Sequence, residues 1–232
     1  MKVAFISGTS IMNSTLFSTW EMRTVETNYG AVAYRTKGDF ALFNRHGNGP
    51  PLPPHAINHR ANIRALADLG YADIVSLNSV GSLKLELLPG TLVSCGDVVN
   101  LLQGPATFFD RELRGGSPPI ANNLVPMLME KLAPEFSIMP GKIYVQTRGP
   151  RFETKAEINI IRHWGDVVGM TAAHEADLCG EIGLRYNSLA MVDNYANGIG
   201  GAEIDHATFR DLVKENQVKV NRLLARMLEL LG

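Results

Sequence analysis

The sequence predicts an α/β layer fold built on a mixed sheet, and three observations carry the prediction. Short aliphatic and β-branched runs, as at residues 3–7, 74–77, 167–170 and 188–192, alternate with helical patterns along the whole chain, as strands and helices packed in layers do. Two strand-like runs, 31–36 and 39–44, meet at Lys37-Gly38, and such a hairpin rules out a purely parallel sheet. Polar or small residues collect just past the strand runs: Thr9, Arg45 with His46, Asn78 with Ser79, Thr171, and Asn194. In folds of this class ligands gather at the carboxyl ends of strands.

Each element follows from its local pattern. The first strand, 3–7, empties into Gly8-Thr9-Ser10, where small residues expose backbone N–H groups and make an anion seat. No G-x-G-x-x-G and no P-loop lysine follows, so this is not a dinucleotide or Walker-type loop. The hairpin delivers Arg45-His46-Gly47 at its end, and the proline-rich 50–54 is loop. Ile57, Ile63, Leu66 and Ala67 mark one face of a helix that Gly70 stops. Strand 74–77 runs into Asn78-Ser79-Val80-Gly81-Ser82, read as a second small-residue turn. Residues 91–102 carry more strand, bent at Gly96-Asp97, and 104–119 form a Gly- and Pro-rich loop around Phe108-Phe109 of the mobile or partner-facing kind.

The second half repeats the alternation. Residues 125–132 are a helix and 142–147 a strand, and the turn Gly149-Pro150-Arg151 then presents Phe152 and Glu153 ahead of a helix over 156–164. A flat ring can rest on Phe152 while Glu153 accepts its proton. Strand 167–170 leads to Thr171 and a helix over 174–182, and strand 188–192 empties into Asp193-Asn194-Tyr195. The last helix takes Asp205 as N-cap and carries Phe209, Leu212, Val213, Val220, Leu223, Leu224 and Met227 on one broad face.

Composition narrows the function classes. At 232 residues, 45% hydrophobic and 19% charged, the chain reads as one globular domain over 1–232. A formal charge of −1 with no Lys/Arg run argues against a nucleic-acid polymer as partner. Cys95 and Cys179 lie far apart without metal-ligand or redox spacing and read as buried thiols of a reducing compartment. The apolar start is too short for a signal peptide, and no run of about 18 apolar residues occurs, so no membrane role and a cytoplasmic location are expected.

Taken in order, seven pieces resemble the purine nucleoside phosphorylase and methylthioadenosine phosphorylase family. They are Ser7-Gly8-Thr9; Arg45-His46-Gly47; Pro54-His55-Ala56-Ile57-Asn58-His59-Arg60-Ala61-Asn62; Asn78-Ser79-Val80-Gly81-Ser82-Leu83; Gly149 through Glu153; Gly169-Met170-Thr171 with Glu175; and Asn194. The resemblance implies a three-layer α/β/α fold with a mixed central sheet. It implies a pentosyltransferase that cleaves purine nucleosides with inorganic phosphate, giving free base and pentose 1-phosphate, with no metal and no cofactor beyond that co-substrate. The family's phosphate site maps onto Thr9, Arg45, His46, Ser79 and Thr171. Its base and ribose site maps onto Phe152, Glu153, Met170, Asn194 and His206, with Asn194, Glu153 and His46 as the catalytic set. Hydroxyls, N–H groups and an arginine fork match phosphate chemically. A carboxylate at Glu153 and an amide at Asn194 match the N1 proton and the O6 or N7 acceptors of a 6-oxopurine.

Several points stay open at this level. His206 falls where ordinary nucleoside enzymes of the family carry a histidine near the 5′-hydroxyl, whereas Leu52-Pro53-Pro54-His55 with Asn58-His59-Arg60-Ala61-Asn62 looks more like the methylthio branch, particularly its 6-oxo members. Methylthioinosine or methylthioadenosine is thus the alternative substrate. A hydrolase and a non-catalytic nucleoside-binding protein are the remoter readings. Strand alternation leaves undecided whether Asp193 or Asn194 faces the base. Ala173-His174 replaces a proline and an apolar residue common before the family's glutamate, which leaves the place of Glu175 open. Phe108 and Phe109 match a region that reaches a neighbour's sugar pocket in trimeric members, which implies a homotrimer or a dimer of trimers.

Overall fold

In strand β1 (Val3–Ser7) every residue is buried: Val3 and Phe5 join one apolar layer while Ala4 and Ile6 join another. Side chains alternate across a strand, so a continuous apolar run is what a strand covered on both faces requires. The computed structural model describes all residues except 12, 13, 103, 105, 115, 117–119 and 202. Among the described residues there are nine strands and five α-helices.

The remaining strands are β2 (Glu21–Thr27), β3 (Gly30–Lys37), β4 (Phe40–Asn44), β5 (Asp73–Ser82), β6 (Leu92–Val99), β7 (Ile138–Gln146), β8 (Val167–Gly169) and β9 (Arg185–Tyr195). They form one mixed sheet in the order β2-β3-β4-β1-β5-β8-β7-β6-β9. β1 pairs parallel with β4 and β5, while β2, β3 and β4 form antiparallel hairpins. β9 also pairs parallel with β5, so the second half of the sheet closes on itself as β5-β8-β7-β6-β9.

Helices cover both faces. On one side α1 (His59–Asp68) and α4 (Ala172–Glu181) bury Ile63, Leu66, Leu178 and Cys179 against Ala4, Ile6 and Ile74. On the other, α2 (Val125–Leu132) and α5 (His206–Leu231) pack on Val3, Phe5, Leu77 and Met191. Buried Val220, Leu223, Leu224, Met227 and Leu231 hold α5 in place, at roughly 1.5–3 kcal/mol per large apolar side chain. The three-layer expectation holds. Caps mark the helix starts: Asn58 accepts from Ala61 N at 3.0 Å, and Asp205 from Ala207 N and Thr208 N. α3 (Lys155–Ile161) opens with a full capping box between Thr154 and Glu157.

The differences from the sequence reading have physical causes. β2 was not predicted, because this edge strand is largely exposed and its mixed charge shows no apolar alternation. The predicted turn at Asn78 to Ser82 is instead the continuation of β5, and Asp193 and Asn194 lie inside β9 rather than after it. Both stretches stay extended because they pair with each other through ten residues. The bend near Gly96 appears as register shifts in β6 around Cys95 and Asp97, with Gly96 packed close on Gly141. α4 starts at Ala172 rather than 174, and β7 starts at Ile138 rather than 142. Parts of the predicted 104–119 loop, at 105, 115 and 117–119, lie outside the described residues. Cys95 and Cys179 are both free and buried, and no helix is long and apolar enough to cross a membrane among the described residues.

Candidate active site

Thr9 opens a short 3-10 turn directly after β1. Space dictates the glycine before it: a Cβ on Gly8 would stand 2.8 Å from His46 Cδ2 and 2.9 Å from Arg45 Nη1. The β1 loop therefore lies against the two residues that leave β4, and the Arg45 N–H bonds the Ser7 carbonyl at 2.9 Å.

Arg45 is 3% exposed and its partner Glu175 1%. Nε donates to Oε1 at 2.6 Å and Nη2 to Oε2 at 3.1 Å, which is the two-pronged geometry of a strong ion pair. Nη2 also reaches Ser76 Oγ at 2.8 Å, and Nη1 reaches the Leu77 carbonyl at 3.2 Å. The Ser76 and Tyr186 hydroxyls donate to Oε2, each at 2.9 Å. Burial by itself would raise the Glu175 carboxyl, but the Arg45 charge and these hydrogen bonds outweigh it and hold it below its usual value. Glu175, whose place the sequence left open, thus sits behind Arg45 and not in the cavity wall. The guanidinium edge at Nη1 is the one that faces Gly8.

His46 Nδ1 lies 2.8 Å from the Leu52 carbonyl, which can only accept, so Nδ1 carries the proton. Burial holds this imidazole below its usual pKa, leaving an Nε2 lone pair on the side of Gly8. Thr171 stands at the N-cap of α4, yet its hydroxyl makes no cap bond. Tyr144 Oη accepts from Thr171 N and Ala172 N at 3.1 and 3.3 Å, and Gln146 Oε1 accepts from Ala173 N at 2.8 Å. The Thr171 side chain is thereby relieved of capping and lines the cavity.

At the other end Glu153 is buried and accepts a hydrogen bond from the Thr147 hydroxyl. Burial pushes its carboxyl above the usual value despite that bond. Asn197 Nδ2 holds the Glu153 carbonyl at 2.8 Å. Asn194 donates from Nδ2 to the Tyr195 carbonyl at 2.7 Å and lines the cavity. Asp193 does not: it accepts hydrogen bonds from Ser79 Oγ and from Asn216 Nδ2, the latter at 2.8 Å. Of the two that strand alternation left open, Asn194 is the one that lines the cavity.

Phe152 packs against His206 and Phe209, with ring centroids 4.8 and 5.4 Å away. Met170 lies under the chain at Gly149, where φ is +60° and a Cβ would sit 2.5 Å from Met170 Sδ, so only glycine fits. All ten predicted site residues line one cavity of about 220 Å³, together with Pro54, Gly81, Ile204, Phe209 and others. Phe108 and Phe109 do not line it; Phe108 packs on Tyr29 and its N–H bonds Glu181 at 2.7 Å. Sequence reasoning missed Gly81, Ile204 and Phe209 as wall residues. Phe209 stood out only as one position of an apolar helix face. Among the described residues no group of three or more His, Cys, Asp or Glu side chains gathers as metal ligands would.

Comparison with known proteins agrees with this geometry. The phosphorylase superfamily profile matches residues 15–229. A probable 6-oxopurine nucleoside phosphorylase of Archaeoglobus fulgidus is 36% identical over 92% of this chain and 90% of its own. A probable S-methyl-5′-thioinosine phosphorylase of Methanocaldococcus jannaschii is 37% identical over 86% of this chain and 82% of its own. The crystal structure of methylthioadenosine phosphorylase from Schistosoma mansoni in complex with adenine superposes with a TM-score of 0.86 at 26% identity, covering 100% of this chain and 92% of that one. The chain belongs to the phosphorylase superfamily.

Proposed function

We infer that this chain cleaves 6-oxopurine nucleosides with inorganic phosphate, giving free base and pentose 1-phosphate. One observation carries the reading. A single cavity is lined both by Arg45, His46, Thr9 and Thr171 and by a buried carboxylate, Glu153, an amide, Asn194, and the Phe152 ring. A sugar between them would have an oxyanion on one side and a heterocycle on the other.

The chemistry follows from these groups. Phosphate is held by the Thr9 and Thr171 hydroxyls, the Nη1 edge of Arg45 and N–H groups around Ser79. The bare Nε2 of His46 accepts a hydrogen bond from the hydroxyl of monohydrogen phosphate, whose proton is the one the released purine finally takes up. The purine stacks on Phe152, Glu153 accepts from N1–H, and the Asn194 amide donates to N7 or O6. As C1′–N9 breaks, its electron pair moves into the purine, where the Asn194 donor meets the growing charge. Positive charge on the ribose ring meets the phosphate, whose oxygen then bonds C1′. An adenine presents an acceptor at N1 and leaves Glu153 facing a lone pair, so hypoxanthine and guanine bases are favoured. The relatives named for 6-oxopurine nucleosides support this base preference.

A second reading concerns the 5′ end. Ile204, Phe209, Pro54 and Phe152 add apolar surface to the cavity that His206 also lines, which suits a 5′-methylthio group as named for the methanogen relatives. We further propose a homotrimer working in the cytoplasm. Leu101 at 77% exposure and Ile160 at 58% leave apolar side chains on the surface, which suits a covered interface.

The test is a panel of inosine, guanosine, adenosine, methylthioinosine and methylthioadenosine, each with and without phosphate. Phosphate-dependent release of hypoxanthine is expected. Equal cleavage without phosphate would make the enzyme a hydrolase, and cleavage of adenosine in preference to inosine would overturn the base assignment.

A further inference from the structure

Strands β5 and β9 run parallel in register from Asp73↔Arg185 to Val80↔Val192, and then the register shifts so that Gly81 pairs with Asn194. Asp193 is the extra residue of this bulge. Without it, Asp193 would stand opposite Gly81 and Asn194 opposite Ser82. The bulge therefore sets Asn194 against the one neighbour that has no side chain, and the space is needed: a Cβ on Gly81 would lie 3.3 Å from Asn194 Nδ2. Bulges beside active sites characteristically re-aim a side chain in this way.

Something must hold the bulge, and Asp193 itself supplies the clamp. Its carboxylate is 1% exposed. It accepts hydrogen bonds from Ser79 Oγ on β5 and from Asn216 Nδ2 on α5, the latter at 2.8 Å. A buried carboxylate in a strand is unfavourable unless its oxygens are satisfied, and here each oxygen is taken by a different element. The helix it grips is the one whose first turn carries His206 and Phe209 against Phe152. One side chain thus joins the strand bearing Asn194, the strand bearing Gly81 and the helix walling the cavity.

We propose that Asp193 is a positioning residue: by pinning the β9 bulge between Ser79 and Asn216 it aims the Asn194 amide at the purine. This rests on the reading of Asn194 given above. The shape of the clamp is what matters, because an amide in place of the carboxylate can still accept from Asn216 while its NH₂ donates to the Ser79 hydroxyl.

The experiment is a double-mutant cycle read in the inosine phosphorolysis assay, with melting temperatures measured alongside. Asp193→Ala should lower kcat by roughly 10- to 100-fold with KM little changed, the scale of a misplaced catalytic group. Asp193→Asn should stay within roughly threefold of the parent, since both hydrogen bonds survive. In an Asn194→Ala background Asp193→Ala should cost less than roughly twofold more, because coupled residues are not additive. A parental kcat for Asp193→Ala, or losses that multiply in the double variant, would overturn the proposal. A parental kcat for Asn194→Ala would instead overturn the reading on which it rests. Should Asp193→Ala not fold, Asn216→Ala decides, since it removes one of the two bonds: a smaller kcat loss that vanishes in the Asn194→Ala background supports the clamp, and any other result refutes it.

Discussion

Glu175→Gln strips the countercharge from Arg45 while keeping the side chain's shape. Arg45 cannot shed its proton, and both groups are almost wholly buried, at 3% and 1% exposure. The variant therefore holds an uncompensated buried cation, and the new amide NH₂ confronts the guanidinium donors at Nε or Nη2. Breaking a buried pair this way costs roughly 3–5 kcal/mol, which in a chain of this size lowers Tm by roughly 6–20 °C. Urea unfolding in phosphate-free buffer, with unchanged m, measures it. Phosphate supplies the second half of the test. If phosphate lies on the Nη1 edge of Arg45, it brings the missing negative charge to the same guanidinium, so it should stabilise the variant more than the parent and narrow the gap. Acid should narrow it too. Arg45 holds the folded-state Glu175 pKa below the usual 4.5, so the pair's contribution is complete above that value and fades as pH falls through the lower folded-state pKa. A gap under roughly 1 kcal/mol would refute the account of the pair. A gap that saturating phosphate leaves unaltered would remove Arg45 from the phosphate site.

Three further outcomes test other parts of the structure. Gly81→Ala places a methyl 3.3 Å from Asn194 Nδ2 and Val168 Cγ1, and steady-state kinetics should show kcat reduced roughly 10- to 100-fold with folding retained. His59 has both ring nitrogens buried without partners, and burial pushes its pKa down to about 4. Its neutral form is the one the fold accepts, so stability present above pH 6.5 is lost as pH falls from 6.5 toward 4, by roughly 3 kcal/mol. The unfolding free energy of the parent minus that of His59→Phe should therefore fall by roughly 3 kcal/mol as pH goes from 6.5 to 4. The opposite slope from Asp193, pushed up by burial to about 6, cancels in the comparison. Thr154→Ala removes the hydroxyl that accepts from Glu157 N at 3.2 Å and should cost about 1 kcal/mol in urea unfolding, with Thr154→Ser restoring it.

The strands of the core were legible because burial on both faces writes them as unbroken apolar runs, as at Val3 to Ile6. β2 left no such trace, since only its antiparallel pairing with β3 keeps it extended. The ten cavity residues were legible singly, each as a polar or small residue near a strand end. Their mutual arrangement was not. Nothing near Arg45 in the chain announces that Glu175, 130 residues on, takes two of its donors. Nor does local pattern reveal that β9 holds one residue more than β5 beside the cavity, which is the fact that separates Asp193 from Asn194.

The Arg45–Glu175 pair sets the character of the proposed anion site. With the guanidinium's charge already matched, the proposed anion site draws on hydroxyls, backbone dipoles and a single N–H edge rather than on surplus cations. On the proposed reading such a site would hold phosphate firmly enough to orient it without neutralising it, leaving electron density on the oxygen that attacks C1′. A cluster of unpaired lysines would bind the same ion more tightly and make it a poorer nucleophile. Introducing a second cation into the cavity wall, as in Thr9→Lys, should therefore lower the phosphate KM and kcat together. A lower KM with kcat unchanged or raised would show that the electron density of the bound anion does not limit the reaction.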